Sequence, residues 1–412
     1  EGEYDEVRTL TTLNSMIPLW KKNKNDVTDE ALDDFYMQKF YDFEKPMLHL
    51  MFNVEGSVNY NTLLFIPNLP PRNLHSVDYE KGLQLYSKGV FIMDKCKELI
   101  PDYLRFVKGV VDSSDLSLNI SREMLQQNKV LNLMQKNIEK KILNRLASLQ
   151  KEDFDKYLTF FKNYGINLKF GAYENYGAKK EMLQDLLIYS SVNSEKMITF
   201  KEYVEQMKDG QKDIYYASGK SKEEILSMPQ MDIVKKYGYD VLILTDDVDE
   251  FLLKILNKYN DHEFKSINQS TLDDLTTEEE KEKLEEQQKD HQDLLKALKE
   301  ALKDEVKDVI LSKRLVDSPV CLVSGDGVSF EMEKVIEAMP TNDKIKAERI
   351  LEINPNHELF NALNKLYEEN PDDIKDYANL LYNQALLMEG FKLNNSVEFS
   401  NLMCKLMIKS IK

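Results

Sequence analysis

The sequence predicts a multidomain protein of the α/β and α+β classes. The chain has 412 residues, which is too long for one compact core. Strand-like and helix-like segments alternate over residues 1–265, a pattern typical of α/β layers. A highly charged stretch at 266–290 separates these segments from a helix-rich end. We therefore expect a separate region of mixed α+β character after that stretch.

The first 165 residues contain the clearest strand and helix signals. Thr28 is followed by acidic residues, as at a capped helix start. Aromatic and β-branched residues at 48–54 and 59–66 predict two strands, with Gly56 in the turn between them. The further elements predicted here are a strand at 83–93 and helices over 97–111, 124–149 and 152–163.

Residues 165–260 predict a smaller α/β unit. The continuous apolar run at 240–246 is typical of a buried strand, and a helix is expected after it at 248–259. No glycine-rich phosphate loop occurs in this stretch, so its α/β character does not indicate nucleotide binding. The remaining elements predicted here are helices over 180–191 and 200–207 and a strand at 213–218.

The C-terminal third begins after the charged stretch 266–290, whose few apolar anchors indicate a solvated helix or linker. Two helices, over 372–388 and 395–411, end the chain. Their apolar stripes predict either packing on their own domain or a four-helix bundle made by two chains. A further helix is expected over 328–339, because five apolar residues would share one of its faces: Val328, Met332, Val335, Ile336 and Met339.

The composition excludes several classes of partner. A formal net charge of −17 argues against a general nucleic-acid binder, which would show a basic face. No apolar run approaches the roughly 20 residues needed to span a bilayer. The five histidines form no pair or cluster with metal-ligand spacing, so no metal is expected. Three distant cysteines fit a reducing compartment, and we expect Cys96, Cys321 and Cys404 to be buried.

Arg122 and Gln126 are the candidate catalytic residues. Asn119 and Ser121 are suitable N-caps, so a helix is expected to start here. Arg122 and Gln126 are four residues apart and would project from one face of that helix near its N-terminus. A guanidinium and an amide in this position can reach an anion such as the terminal phosphate of a nucleotide. The plainer alternative is that Arg122 pairs with a surface carboxylate.

The residues around Arg122 resemble a known family. Residues 91–127 read FIMDKCKELIPDYLRFVKGVVDSSDLSLNISREMLQQ, and they resemble the middle domain of the heat-shock protein 90 chaperone family, especially its bacterial members. Residues 350–360 resemble the family's C-terminal domain. The resemblance implies that the family's N-terminal ATPase domain precedes residue 1. It implies two αβα middle subdomains joined by a helical segment, then a dimerisation domain that ends in a helical bundle. The large middle subdomain, with a catalytic loop, would occupy residues 1–150, and the helical connector with the small subdomain would occupy 151–265. A charged linker or helix would follow at 266–290, and the dimerisation domain at 291–412.

The resemblance also implies roles for individual residues. Arg122 matches the family's catalytic-loop arginine and Gln126 its partner, so Arg122 would contact the γ-phosphate of ATP, with Mg²⁺, in the N-terminal domain of the same chain. No cofactor is expected to bind these 412 residues by themselves. Unfolded or partly folded client proteins would contact Trp20, Val328, Met332, Val335 and Ile336, although a core position for Trp20 is the alternative. A homodimer would form through Leu381, Leu387, Phe399, Leu402 and Leu406.

Some positions depart from the family's pattern. Arg72 and His75 occupy a loop where many relatives have phenylalanines, and Gly89 stands where a basic residue is frequent. The chain ends in MIKSIK and lacks the acidic tail of cytosolic eukaryotic relatives, so a bacterial cytoplasmic location is expected. The alternative function is a passive protein-interaction scaffold or adaptor with no role in ATP turnover.

Overall fold

The computed structural model describes residues 17–117, 129–270, 275–340 and 345–411. The chain divides into two compact units, Glu1–Gly171 and Ala172–Lys412. Each unit combines helices with a mixed sheet, which confirms the predicted multidomain α/β and α+β class. The finer domain boundaries at residues 150, 265 and 290 stay predictions.

The first unit is built on a five-stranded sheet with the order β1-β2-β5-β3-β4. Only the β5–β3 pair is parallel among these neighbours. Gly109 lies in central strand β5, where a Cβ atom would clash with the carbonyl oxygen of Leu63 on β2. The strands are β1 (Leu48–Val54), β2 (Tyr60–Ile66), β3 (Leu83–Ser87), β4 (Val90–Cys96) and β5 (Lys108–Ser113).

Three described helices accompany this sheet: α1 (Asp29–Phe40), α2 (Lys129–Glu152) and α3 (Phe154–Gly177), which continues past the boundary of the unit. Thr28 caps α1 as predicted, since its side chain accepts a hydrogen bond from the N–H of Ala31. Helix α1 covers one face of the sheet with an aromatic-rich core whose rings include those of Trp20, Tyr36, Phe65 and Tyr86.

Two sequence predictions in this unit are wrong. The strand expected at 83–93 is the hairpin β3–β4, because Lys88 and Gly89 adopt positive φ angles of 52° and 84° and close a two-residue turn. The helix expected over 97–111 is two short 3₁₀ turns followed by strand β5. Pro101 lies inside this stretch, and proline removes an N–H that a continuous helix needs.

The second unit begins with a six-stranded sheet of order β10-β11-β8-β9-β6-β7. Its middle strands β11, β8 and β9 are parallel, so their carboxyl ends share one edge of the sheet. The sheet is formed by β6 (Ile188–Ser191), β7 (Ile198–Thr199), β8 (Ile214–Ser218), β9 (Leu242–Leu244), β10 (Lys258–Tyr259) and β11 (His262–Ser266).

Short helices connect these strands. The helix expected over 180–191 is wrong in its second half, because Ile188 and Tyr189 pair in strand β6 with β7 instead. β-Branched and aromatic residues fit a buried strand, which explains this outcome. The helices are α4 (Lys180–Leu183), α5 (Phe200–Glu205), α6 (Lys222–Leu226), α7 (Met231–Tyr237) and α8 (Asp249–Leu256).

The rest of the second unit is a three-stranded sheet, order β12-β14-β13, with helices around it. The charged stretch contains α9 (Glu278–Asp290), which has no buried residue, as expected of a solvated helix. None of the helices in the described ranges is long and apolar enough to cross a membrane. The remaining elements are β12 (Asp308–Leu311), β13 (Val320–Ser324), β14 (Arg349–Ile353), α10 (Gln292–Ala301), α11 (Phe330–Ala338), α12 (Glu358–Glu369), α13 (Ile374–Met388) and α14 (Ser396–Ile411).

Candidate functional site

The predicted catalytic pair, Arg122 and Gln126, lies outside the described residues. The structure does describe the chain on both sides of this stretch, up to Ser117 after β5 and from Lys129 at the start of α2. The catalytic assignment of both residues therefore stays a prediction.

The segment that leaves β5 toward Arg122 is anchored to the sheet. The buried hydroxyl of Ser87 donates a hydrogen bond of 2.7 Å to the carbonyl oxygen of Leu116. The N–H of Asn59 donates to Asp115 Oδ2 at 2.6 Å, and this bond lowers the pKa of the Asp115 carboxyl. The chain thus departs from the sheet at a position held by both side-chain and backbone hydrogen bonds.

Trp20 lies in the core of the first unit. Its side chain is only 9% exposed, and its ring centroid is 4.9 Å from that of Tyr86. The indole Nε1–H donates to Asp112 Oδ2 at 3.1 Å, and Lys21 Nζ lies 3.0 Å from the same oxygen. So little exposed surface favours the core interpretation of Trp20 over a place in a client-contact surface.

Gly89 binds the same carboxylate as Trp20, that of Asp112. Its N–H donates a 3.0 Å hydrogen bond to Asp112 Oδ1, and its φ of 84° suits glycine. At this position the turn therefore binds a buried carboxylate through its backbone N–H and not through a basic side chain. Arg72 and His75, the other two departures from the family pattern, are exposed.

Helix α11 carries most of the predicted client surface. It begins at Phe330 rather than at Val328, because Ser329 is the N-cap and accepts a hydrogen bond from the N–H of Met332. Val328 precedes the helix and packs against the core of the C-terminal sheet. The buried residues of the helix are Phe330 and Glu333. Three predicted contact residues are half-buried on the rest of its surface, namely Met332, Val335 and Ile336.

Glu333 fixes the buried side of α11. Its Oε2 accepts a 2.7 Å hydrogen bond from the N–H of Ala347, and its Oε1 lies 2.8 Å from Arg349 Nη2. The Arg349 guanidinium carbon in turn lies 5.7 Å from the ring centroid of Phe330. A buried carboxylate thus holds the helix to β14, while Met332 and Val335 are half-buried.

Met332 and Val335 line a cavity of about 210 Å³ in the second unit. Its opposite wall is the carboxyl edge of the parallel strands β8 and β9, the usual place for a ligand in such a sheet. Glu250, on α8, is buried there and accepts a hydrogen bond from the hydroxyl of Ser329. Burial raises the pKa of Glu250 to about 7.

Glu250 was missed by the sequence analysis. It occupies the first turn of α8, where an acidic residue is explained by the helix dipole alone. Its burial depends on the approach of α11, about 80 residues later in the chain, since the Ser329–Glu250 pair is separated by 79 positions. No local pattern could have indicated that contact.

The predicted dimer residues fall into two groups. Leu381 is buried in the core of its own unit, whereas Leu387 is 48% exposed. The others, on α14, are half-buried: Phe399, Leu402 and Leu406. Helix α14 itself has no buried residue and exposes an apolar stripe formed by Met403, Met407, Ile408 and Ile411.

Cys404 lies beside this stripe and is exposed, which corrects the expectation that all three cysteines are buried. Cys96 and Cys321 are buried as expected. The error has a physical cause, because a cysteine on a terminal helix is covered only if that helix is packed on all its apolar sides.

Comparisons with known proteins identify the relatives of this chain. The family described as Hsp90 protein matches residues 3–412. The chaperone protein HtpG of Bacillus subtilis and that of Alkaliphilus oremlandii are each 48% identical over 408 residues, which is 99% of this chain and 65% of each relative. The chain thus spans about two thirds of the length of these relatives.

A solved structure supports the same relationship. The middle domain of a Plasmodium falciparum heat shock protein is 33% identical, with a TM-score of 0.56. The similarity covers 61% of this chain and all of that domain. From the match over almost its whole length, the chain belongs to the Hsp90 protein family.

Proposed function

We propose that this chain is the middle and C-terminal part of an ATP-dependent molecular chaperone that binds unfolded or partly folded proteins. The observation that carries the proposal is the apolar row of α11, where Met332 and Val335 open on a cavity instead of filling a core. Methionine suits surfaces that must adapt to many partners. The relatives named chaperone protein HtpG support the same function.

Arg122 and Gln126 supply the proposed link to ATP. In this proposal, an N-terminal domain of the same chain binds ATP with Mg²⁺, and the Arg122 guanidinium contacts the γ-phosphate. A planar, permanently charged group there would neutralise charge that develops on the phosphoryl oxygens during hydrolysis. Gln126 would lie beside it and orient the guanidinium.

The second part of the proposal is a homodimer in a bacterial cytoplasm. The exposed stripe of α14 supports self-association, because a two-fold interface needs one self-complementary surface. Four helices, two from each chain, would then bury side chains such as Met407 and Ile408, which one chain leaves in contact with solvent.

Suppression of aggregation tests client binding. The chain is added to a test enzyme that unfolds and aggregates on heating, and the light scattered by the aggregates is followed over time. We expect scattering to fall, and we expect Met332→Asp with Val335→Asp to abolish the effect, because both charges would enter the proposed contact surface. A matched control is Asn361→Asp with Ala362→Asp, at exposed positions of α12. Equal protection by both variants would contradict the assignment of α11.

ATP turnover tests the role of Arg122. In a protein that carries this chain after an ATP-binding domain, Arg122→Ala should reduce turnover by about 10³–10⁵, as loss of an arginine finger does. Nucleotide binding should persist, because the proposed contact matters most in the transition state. Unchanged turnover would reject the catalytic assignment and favour a scaffold.

A further inference from the structure

The two edges of the C-terminal sheet are covered in different ways. The outer edge of β13 pairs with the backbone after β11, because the N–H of Ser324 donates to Asn268 O and the N–H of Ser270 donates to Ser324 O, each at 2.9 Å. Strand β12 forms the other edge, and in the part of the chain that the structure describes it pairs only with β14. The charged helix α9 lies beside it. Because an unpaired edge can bind other chains, this helix protects a reactive part of the sheet.

Helix α9 is loosely packed. None of its 13 residues is buried. Leu284 is its one apolar residue, and it is half-buried against the core of the C-terminal sheet. Two cavities border this side chain, one of about 460 Å³ beside α10 and β12, and one of about 330 Å³ beside α7 and the segment after β12. A well-packed element leaves few voids of this size, so the apolar contact of α9 is incomplete.

The first turn of α9 is attached to α7 by polar contacts. Glu280 Oε1 lies 2.9 Å from Lys236 Nζ, and Glu280 Oε2 accepts a 3.2 Å hydrogen bond from the Tyr237 hydroxyl. The Lys236 and Glu280 side chains are 48% and 41% exposed. Exposed ion pairs contribute little to stability and are screened by salt. This attachment is therefore weak and sensitive to ionic strength.

We propose that α9 is a detachable strap over the edge of β12. It leaves α7 and β12 as one segment while the sheet beneath it stays folded, and its departure opens the β12 edge to an extended polypeptide segment. A helix of 13 residues is marginal by itself, so α9 unfolds when it leaves. The main-chain groups of the open edge then pair with the incoming segment. This surface is separate from α11 and does not depend on client binding there.

Hydrogen exchange measured by mass spectrometry tests detachment. The amides of α9 should exchange well before those of α10, and added salt should accelerate them. Leu284→Ala should make α9 and β12 exchange about tenfold faster, because it removes the apolar contact, and should leave β14 unchanged. Glu286→Ala, at an exposed position that lines neither cavity, should not affect β12. Exchange of α9 at the same rate as α10 in every variant would overturn the proposal.

A matched pair of charge variants tests the attachment to α7. Glu280→Gln removes the ion pair with Lys236 but keeps a side chain that can complete the capping box with Thr277. It should make α9 exchange about threefold faster, as expected of an exposed pair. Glu279→Gln removes the same charge from the same turn at an exposed position and should change little. Equal effects of the two variants would contradict the attachment through Glu280.

A covalent link tests access to the edge. In a Cys404→Ser background, where the remaining cysteines are buried, Lys236→Cys and Glu280→Cys are joined by a short bismaleimide, which ties α9 to α7. The probe is a labelled peptide with the sequence of residues 347–355, because it contains β14, the strand that already pairs with β12.

Fluorescence anisotropy then measures binding of this peptide. Leu284→Ala should bind it about tenfold more tightly than the natural chain does, since the open state is more populated, and the linked chain should not bind it. A peptide with Leu351→Pro, which lacks a main-chain donor, should bind none of these chains. Equal binding by the linked chain and the Leu284→Ala chain, or no binding by either, would overturn the proposed access to β12.

Discussion

The C-terminal sheet and the terminal helix α14 belong to the same unit but are stabilised in different ways. The sheet is enclosed by a core that includes Leu322, Leu351, Phe360 and Leu363, each at most 3% exposed. Helix α14 rests on α13 through half-buried residues and contributes no buried side chain. Since burial of apolar area is the main stabilising force, the sheet is stable within one chain. The helix has apolar area that only a partner can cover.

Charged residues show the same contrast. Arg314 and Glu352 form an ion pair of 2.9 Å in which both side chains are 1% exposed. Arg314 Nη1 and Nη2 each donate one hydrogen bond, to the carbonyl oxygens of Ile267 and Gln269 at 2.6 and 3.0 Å. On α14, by contrast, Lys405 pairs with Asp376 of α13 and Lys409 pairs with Asp373, the residue before α13, and both pairs are partly exposed. The buried pair is part of the folded core, whereas the exposed pairs contribute little to the stability of α14.

The largest expected effect is on assembly. Met407→Glu with Ile408→Glu places two charges in the exposed stripe and should abolish the proposed dimer, because ions are costly to bury. Light scattering over a concentration series should show the mass fall from about twice 48.2 kDa to 48.2 kDa. Asn361→Glu with Ala362→Glu, on α12, adds the same charge and should remain dimeric. If the natural chain were monomeric at every concentration, the proposal that a second chain covers the exposed stripe of α14 would be wrong.

The next effect is on stability. Arg314→Met leaves Glu352 as a buried charge without its partner and should lower the free energy of unfolding by about 3–5 kcal/mol. Urea unfolding of the second unit measures this. Adding Glu352→Leu to the same variant should restore much of the stability, since the buried charge is then removed. A loss below that expected for exposed pairs would show that the pair is not part of the folded core.

The stability is expected to depend on pH through Glu389, in the segment between α13 and α14. Glu389 follows α13, is buried, accepts a hydrogen bond from Gln230 Nε2, and has a pKa raised to about 7 by burial. The folded chain therefore holds this proton more tightly than the unfolded chain, and the stability from Glu389 declines as the pH rises from about 4.5 to about 7.

Glu389→Gln removes this titration. At pH 8 the variant should be more stable than the natural chain by at most about 3 kcal/mol, and below pH 5 the two should converge. Parallel urea titrations across this pH range give the comparison. A difference that is the same at all pH values would mean that Glu389 does not titrate as its burial requires.

The smallest effect is expected on the exposed side of α14. Lys409 Nζ lies 2.9 Å from Asp373 Oδ2, and the two side chains are 43% and 36% exposed. Lys409→Ala should leave the thermal unfolding temperature unchanged within error, because exposed ion pairs contribute little. A clear decrease would show that charges rather than apolar contacts hold α14 to α13.

Local patterns predicted the elements whose signals are local. Strand β1 occupies residues 48–54 as expected, and Thr28 caps α1. The errors occur where tertiary pairing decides between two possible structures. Residues 188–191 join a sheet rather than a helix because β7 and β9 supply hydrogen-bonding partners from later in the chain.

The candidate site was predicted less completely. The row of Met332 and Val335 follows from helical spacing, so its residues were found. Glu250, Arg314 and Glu352 were not, because charged residues are usually exposed and their burial depends on distant segments. Arg122 and Gln126 were identified from their position at a helix start and from the family resemblance, and their roles stay predictions.

The three cysteines have very different environments, with a practical consequence. Burial raises the pKa of Cys96 to about 12 and that of Cys321 well above its ordinary value, so neither is a ready nucleophile. Cys404 is exposed on α14. A maleimide dye would therefore label the natural chain at Cys404 alone, without mutagenesis. Energy transfer between dyes on two chains would then report in real time how terminal helices meet and separate.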